Sequence, residues 1–284
     1  MLPEADFDAA RPQLTAVAFR LLGSIHDAED AVQTTWLRAT AADSGEVRNS
    51  AAWLTTVLTR VCLDHLRARA RRPEEPLSAD LVAADELAAD EQYLRRESVS
   101  RALLVVLDRL TPTQRVAYVL HDLFDLPFRQ IAETLNTTAE NAKKQASRAR
   151  RRIAAPSTTA ERDAGADPAV VAAFLDAAGG GDLDRMIALM VEDCVRVADA
   201  DLVPPGTAPT VTGARAIAEE TVLFADRIRA AAPLLVDGRP AHVIAPGGHL
   251  FALIHVETRA SLVSRVTISR APAHSAMTLN THLP

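Results

Sequence analysis

Aromatic side chains are scarce in this chain: two Trp, two Tyr and seven Phe, 4% of 284 residues. Since 48% of the residues are hydrophobic, its cores must be built mainly from Ala, Leu and Val. Cysteine is scarcer still. Cys62 and Cys194 lie far apart within apolar patterns, which predicts two buried thiols and excludes a disulfide framework. The eight histidines are scattered, and none has another four residues away, so a helical metal-ligand pair is lacking. No apolar run reaches the roughly 20 residues that a bilayer span requires. The N-terminus opens on acidic residues rather than a hydrophobic signal, and a cytoplasmic location is expected. Excess positive charge is also missing, the formal net charge being −6.

That charge is unevenly spread. Up to Ala155 there are 21 Lys and Arg against 22 Asp and Glu, a net of −1; beyond it there are 10 against 15, a net of −5. Within the first part, basic residues gather in two knots, Arg67, Arg69, Arg71, Arg72 and then Lys143, Lys144, Arg148, Arg150, Arg151, Arg152. The second knot closes the stretch Pro127–Arg152, which reads as two short helices around a turn. Phe128, Ile131, Ala132 and Leu135 give the first helix one apolar face, and Pro127 suits its first position. Leu135-Asn136-Thr137 forms the turn, and Thr137 with Glu140 is a candidate capping box for the second helix. In that helix Ala142, Ala146, Ala149 and Ile153 make a thin apolar seam. Asn141, Lys143, Lys144, Ser147, Arg148 and Arg151 stand away from it. A donor-rich face opposite a narrow seam suits a helix lying in the major groove. Six phosphate contacts would give a salt slope of about −5. The negative whole-chain field opposes unaided DNA binding, so a larger partner is expected to assist.

The earlier stretches carry more specific patterns. A helix from Ile25 holds Asp27-Ala28-Glu29-Asp30-Ala31-Val32-Gln33 and Trp36-Leu37-Arg38; a long helix from Ser50 holds Ala52-Trp53-Leu54, Val57 and Leu63-Asp64-His65-Leu66-Arg67. Leu107-Asp108-Arg109-Leu110-Thr111-Pro112, Gln114-Arg115, His121-Asp122, Ile131-Ala132-Glu133 and Ser147-Arg148-Ala149-Arg150-Arg151 follow in order. Together these resemble the extracytoplasmic-function sigma factors of bacterial RNA polymerase. The resemblance implies that Asp27, Glu29, Asp30, Gln33, Trp36 and Leu37 dock on core polymerase. The loop from Ala42 to Asn49, with Trp53, Arg60, Asp64 and Arg67, would take the opened minus-ten strand. Asn141, Lys143, Lys144, Ser147, Arg148 and Arg151 would engage the minus-thirty-five duplex. No catalytic residue, metal or cofactor is implied; core RNA polymerase and promoter DNA are the implied partners.

The expected organisation is multidomain. Residues 1–72 form an all-α region 2, 73–94 an acidic linker, 95–155 an all-α region 4 with the helix-turn-helix, and 156–167 a second linker. Residues 168–284 then form an α+β domain. Helices at Ala169–Ala177, Leu183–Met190 and Gly213–Ala230, parted first by Gly179-Gly180-Gly181, precede strands from Pro233 to Ile268. Cys194–Val197 is a further expected strand. This pattern resembles the SnoaL-like branch of the nuclear-transport-factor-two-like cone fold, which some sigma factors of the SigJ-like group carry as an extension. Asp237-Gly238-Arg239-Pro240 matches an Asn-Gly-Arg-Pro motif of those relatives and is the candidate regulatory motif. Where they carry Asp-Gly-Gly-Gly, this chain has Asp199-Ala200-Asp201-Leu202-Val203-Pro204-Pro205-Gly206 instead. Asp199, Asp201, His242, His255 and Glu257 are the titratable groups on or near predicted strands, and no pair has a spacing diagnostic of general acid–base work. A small-molecule ligand for this domain and a purely intramolecular role both stay open. The competing reading is a helix-turn-helix regulator fused to a small-molecule-binding or isomerase-type domain.

Overall fold

In the computed structural model the described residues are 3–41, 49–71, 89–90, 92–94, 100–153, 166–203, 207–229, 231–237, 239–245, 251–270 and 277–279. α1 (Glu4–Leu22), α2 (Ile25–Ala41) and α3 (Ser50–Arg71) come first. After them run α4 (Arg101–Asp108), α5 (Pro112–Tyr118), α6 (Phe128–Leu135) and α7 (Ala139–Ile153), with a π-helical turn, Val119–Leu123, prolonging α5. These helices belong to one compact unit, and the elements beyond residue 155 to a second.

Ala, Leu and Val fill the helical core, as composition requires: Leu14, Leu21, Leu54, Leu58, Leu104, Leu107 and Leu120 are all but sealed from solvent. Each such leucine stabilises the unit by about 1.5–3 kcal/mol relative to exposure. α1 ends at Gly23, whose φ of 88° lets its N–H reach the Phe19 carbonyl; a left-handed terminus of this kind favours glycine. Asn49 starts α3 by accepting the Ala52 N–H on its side-chain oxygen at 3.0 Å. Thr55 and Thr59 lie buried on α3 because their hydroxyls donate to the carbonyls four residues back, at 2.8 and 2.7 Å. Thr111 and Gln114 form a reciprocal capping box at α5.

The second unit sets α8 (Pro168–Gly180), α9 (Leu183–Leu189), α10 (Ala214–Val222) and α11 (Ala225–Arg229) with a seven-stranded sheet. Its strands are β1 (Met190–Ala198), β2 (Thr210–Thr212), β3 (Ala231–Val236), β4 (Arg239–Ile244), β5 (Ala252–Arg259), β6 (Leu262–Ser269) and β7 (Met277–Leu279), in the order β2-β1-β6-β5-β4-β3-β7. β1 and β6 run parallel, and the other pairs are antiparallel. Phe174, Met186, Cys194, Ile217, Ile254 and Val263 sit in the core between helices and sheet. The α+β class expected from sequence is the one observed. At the end of α8, Arg229 donates from Nε and Nη2 to the Gly179 carbonyl at 3.3 and 3.2 Å. A Cβ on Gly179 would stand 3.4 Å from the Arg229 backbone, so the two chains approach closely there.

Several expectations need correction. Pro127 caps α6 rather than filling its first position. Thr138, not Thr137, caps α7, accepting the Asn141 N–H at 3.1 Å; Glu140 pairs with Lys144 instead. The expected helix from Gly213 to Ala230 is broken at Leu223-Phe224 into α10 and α11. Gly179 and Gly180 stay inside α8, and only Gly181 turns left-handed, with φ 71°. Met190 opens β1 rather than ending a helix, while β2 and β7 were not expected. The loop from Ala42 to Arg48, the first linker apart from residues 89–90 and 92–94, and the second linker up to residue 165 lie outside the described residues.

Candidate functional sites

On α2 the polymerase candidates divide. Glu29, Asp30, Gln33 and Leu37 are exposed, Leu37 by 60%; Gln33 lies four residues from Glu29, three from Asp30 and four from Leu37, so the four share a face. Trp36 is half-buried and stacks on Phe7 with ring centroids 4.7 Å apart. Asp27 accepts from Arg69 at 2.7 Å, which ties the start of α2 to the end of α3. α2 therefore presents a short acidic and apolar strip, not all six residues.

On α3, Trp53, Val57, Arg60, Asp64 and Arg67 form one stripe at helical spacing, half-buried at Trp53 and Val57 and exposed beyond. Arg60 donates from Nη2 to the Glu133 carbonyl of α6 at 3.2 Å. The Arg20 guanidinium lies 5.2 Å from the centroid of the Phe124 ring. Part of the candidate minus-ten face thus already has a neighbour.

α7 follows the expected pattern most closely. Ala142, Ala146, Ala149 and Ile153 are buried, and Asn141, Lys143, Lys144, Arg148 and Arg151 are exposed, with Ser147 half-buried. Asn136 makes the turn with φ 51° and ψ 55°, a left-handed conformation that asparagine tolerates. Three of the six cations have partners: Arg150 pairs with Asp122 at 2.6 Å, Arg152 donates to Gln114 Oε1 at 3.0 Å, and Lys144 pairs with Glu140 on α7 itself at 2.8 Å, both side chains of that last pair being well exposed. The bend ahead of α6 is fixed by His121, whose Nδ1 lies 2.9 Å from the Leu126 carbonyl and whose ring stacks on Phe128.

A buried arginine escaped the sequence reading in each unit. Arg115 on α5 pairs with Asp108 at 3.0 Å; burial pulls its guanidinium down from the usual range while Asp108 pushes back, and its Nε has no partner among the described residues. In the second unit, Arg196 on β1 donates from Nε and Nη2 to both carboxylate oxygens of Glu220 on α10, and from Nη1 to the Pro209 carbonyl at 2.9 Å. This pair borders a cavity of about 70 Å³ whose other walls include Phe174, Ile217, Phe224, Phe251 and Ile254. The signal was there: Cys194, Arg196 and Ala198 share the buried parity of β1, so a charge stood on an otherwise apolar row.

Asp199, Asp201, His242, His255 and Glu257 do not line that cavity. Asp199 accepts the Arg270 N–H at 2.8 Å, and Asp201 pairs with the Arg270 side chain. Burial, with His255 adding to it, lowers the His242 pKa to about 4. Burial raises the thiols of Cys62 and Cys194 to about 12 and about 11, and both are free. β3 and β4 pair up to Val236 and Arg239, and Asp237, just after β3, has φ 50°. No group of three or more His, Cys, Asp or Glu able to hold a metal occurs among the described residues, nor does a helix long and apolar enough to cross a membrane.

Comparison with known proteins gives these surfaces a context. Residues 7–72 match Sigma-70 region 2, and residues 100–153 match Sigma-70, region 4. ECF RNA polymerase sigma factor SigJ of Mycobacterium tuberculosis is 40% identical over 231 residues, covering 78% of this chain and 71% of SigJ. The chain belongs to the ECF sigma factors. Probable ECF RNA polymerase sigma factor SigI from the same organism is 36% identical over 192 residues, 66% of each chain. The crystal structure of M. tuberculosis SigJ aligns over 95% of this chain and 97% of its own, at 32% identity and a TM-score of 0.43. This sigma factor acts in transcription initiation, and α6 and α7 are the helix-turn-helix of its region 4.

Proposed function

We propose that the helical unit provides two promoter-reading surfaces, served by a polymerase-docking strip on α2, and that the C-terminal unit tunes them in cis. Core polymerase would meet Glu29, Asp30, Gln33 and Leu37, with Asp27 and Trp36 holding the helix in place. The opened minus-ten strand would meet Trp53, Arg60, Asp64 and Arg67, with Arg60 exchanging its bond to Glu133 for a phosphate. The minus-thirty-five duplex would meet Asn141, Lys143, Lys144, Ser147, Arg148 and Arg151. The boundaries at 72, 95, 155 and 168 are part of this reading. So is a regulatory role for the β3–β4 hairpin, Asp237 to Pro240.

The observation that carries the proposal is the division of α7, a sealed alanine seam opposite an exposed row of donors. With Arg150 and Arg152 committed to residues outside α7, and with the exposed Lys144–Glu140 pair exchanged for a phosphate, four cations serve the DNA and the salt slope becomes about −4. Bond chemistry would belong wholly to the polymerase. The test is transcription in vitro from a cognate promoter. Lys144→Ala and Arg148→Ala should each lower initiation several-fold while leaving core-polymerase binding unchanged, since phosphate and base contacts act on DNA alone. Equal loss of polymerase binding would remove the assignment. Comparing the full chain with a 1–155 truncation tests the cis role: identical transcription from the two would end it.

A further inference from the structure

We infer that Asp6 and Phe7 are positioning residues for capture of the opened minus-ten strand, because together they brace the end of α2 against the start of α3. The inference rests on the reading of Trp53 and the exposed side of α3 as the minus-ten surface, and adds what holds that surface in place. The first observation is an overhang. Between Glu4 and Gln13, Phe7 alone is buried, at 6% exposed, whereas the rest of the buried side of α1 runs from Leu14 to Leu22. More than two turns of helix therefore stand clear of the core. Ordering them costs conformational entropy that so little apolar burial does not offset.

The overhang carries two contacts that reach different helices. Phe7 stacks on Trp36 near the end of α2, with ring centroids 4.7 Å apart and planes tilted by 41°. Ser50, the first residue of α3, donates its hydroxyl hydrogen to Asp6 Oδ2 at 2.7 Å. That hydroxyl is not needed as a cap, since Asn49 already accepts the Ala52 N–H at 3.0 Å. Neighbouring residues of one helical turn thus tie together the two helix ends between which the chain passes from α2 to α3. Trp53 stands three residues beyond Ser50, about one helical turn further along α3. A reading surface works when its side chains are held within about 0.5 Å of the productive geometry by neighbours that are themselves locked. Asp6 does not itself suit a nucleic-acid contact, because a carboxylate repels phosphate. It serves the strand through Ser50.

The test uses the full chain bound to core polymerase and a fork-junction DNA, built on a cognate promoter, with an unpaired minus-ten strand. Affinity for that DNA is measured beside affinity for core polymerase and the circular dichroism transition. Phe7→Ala should weaken strand binding about tenfold, and Asp6→Ala or Ser50→Ala about threefold, the scales of one aromatic contact and one exposed hydrogen bond. Core-polymerase affinity should hold in all three. Should Phe7→Ala lower the dichroism transition, the Asp6 variants decide instead, because that side chain is exposed. Asp6→Ala and Ser50→Ala delete the same bond, so the double variant should bind the strand no more weakly than either alone. Asp6→Asn, whose amide oxygen still accepts the hydroxyl, should keep strand binding. The inference is overturned by core-polymerase affinity falling in step with strand affinity, by additive losses in the double variant, or by equal losses in Asp6→Asn and Asp6→Ala. Trp53→Ala and Arg60→Ala separate it from the reading beneath it. If these leave strand affinity unchanged, the minus-ten assignment fails and the brace with it. If they weaken it while the Asp6 and Phe7 variants do not, the brace alone fails.

Discussion

The most deeply buried described arginine of the helical unit, Arg115 at 2% exposed, and that of the C-terminal unit, Arg196 at 3%, are held differently. Arg115 has one carboxylate partner, Asp108, which is itself 29% exposed, and its Nε makes no bond among the described residues. Arg196 is gripped by both oxygens of Glu220 and by a carbonyl, and it faces a cavity. A guanidinium left short of partners in a closed helical core is tolerated where surrounding apolar burial outweighs it. A well-bonded one beside open space keeps donors for something else. Burial alone would rank the two as equals; the accounting of N–H groups separates them.

This contrast can be broken most sharply at the carboxylates. Glu220→Ala leaves Arg196 buried and unpaired, and the C-terminal unit should lose about 3–5 kcal/mol. Asp108→Ala should cost the helical unit about 1–3 kcal/mol, because its partly exposed site lets water replace the lost oxygen. The two effects can be read apart in one sample. Trp36, Trp53, Tyr93 and Tyr118 all precede residue 155, so tryptophan fluorescence follows only the helical unit, while circular dichroism follows both. Glu220→Ala should lower the dichroism transition and leave the fluorescence transition in place. A shift of both together would show that the units do not melt independently.

A smaller effect comes from pH. Because the folded pKa of His242 lies at about 4, below its ordinary 6.5, the unfolded chain takes up the proton first. The C-terminal unit should hold constant stability above pH 6.5 and lose it as pH falls toward 4, by roughly 3 kcal/mol at most. His242→Asn should flatten that slope. Thr138→Ala, which removes the N-cap of α7, is the smallest change, about 1 kcal/mol in the helical unit. It should show as an earlier fluorescence transition.

The alternating and helical periods were legible wherever one side chain's burial depends only on its own element. Ala142, Ala146, Ala149 and Ile153 could be placed from spacing alone, and so could most of the apolar side of α4. Thr137 and Thr138 stand side by side, and the choice between them depends on Asn136 turning left-handed, a backbone event without a pattern. Arg150 and Arg152 find Asp122 and Gln114, 28 and 38 residues earlier. Periodicity within one helix carries no trace of such partners. Arg196 shows both sides of the problem: its parity on β1 marked it as buried, but Glu220 is 24 residues away, beyond a second strand. The five titratable residues named in the C-terminal sequence showed no diagnostic spacing there, and none of them lines the cavity, because titratability says nothing about which wall a residue reaches.

Gly179 has a consequence for that cavity although it does not line it. The clearance between α8 and α11 at this point is fixed by the absence of one methyl group, with the Arg229 backbone 3.4 Å from where it would stand. α8 and α11 also carry Phe174 and Ile228, both of which line the cavity, so a contact outside the chamber joins two of the helices that wall it. Adding that methyl group, as in Gly179→Ala, would act like a thin shim: it would sit in van der Waals contact with the Arg229 backbone at the helix end and alter no residue that lines the cavity.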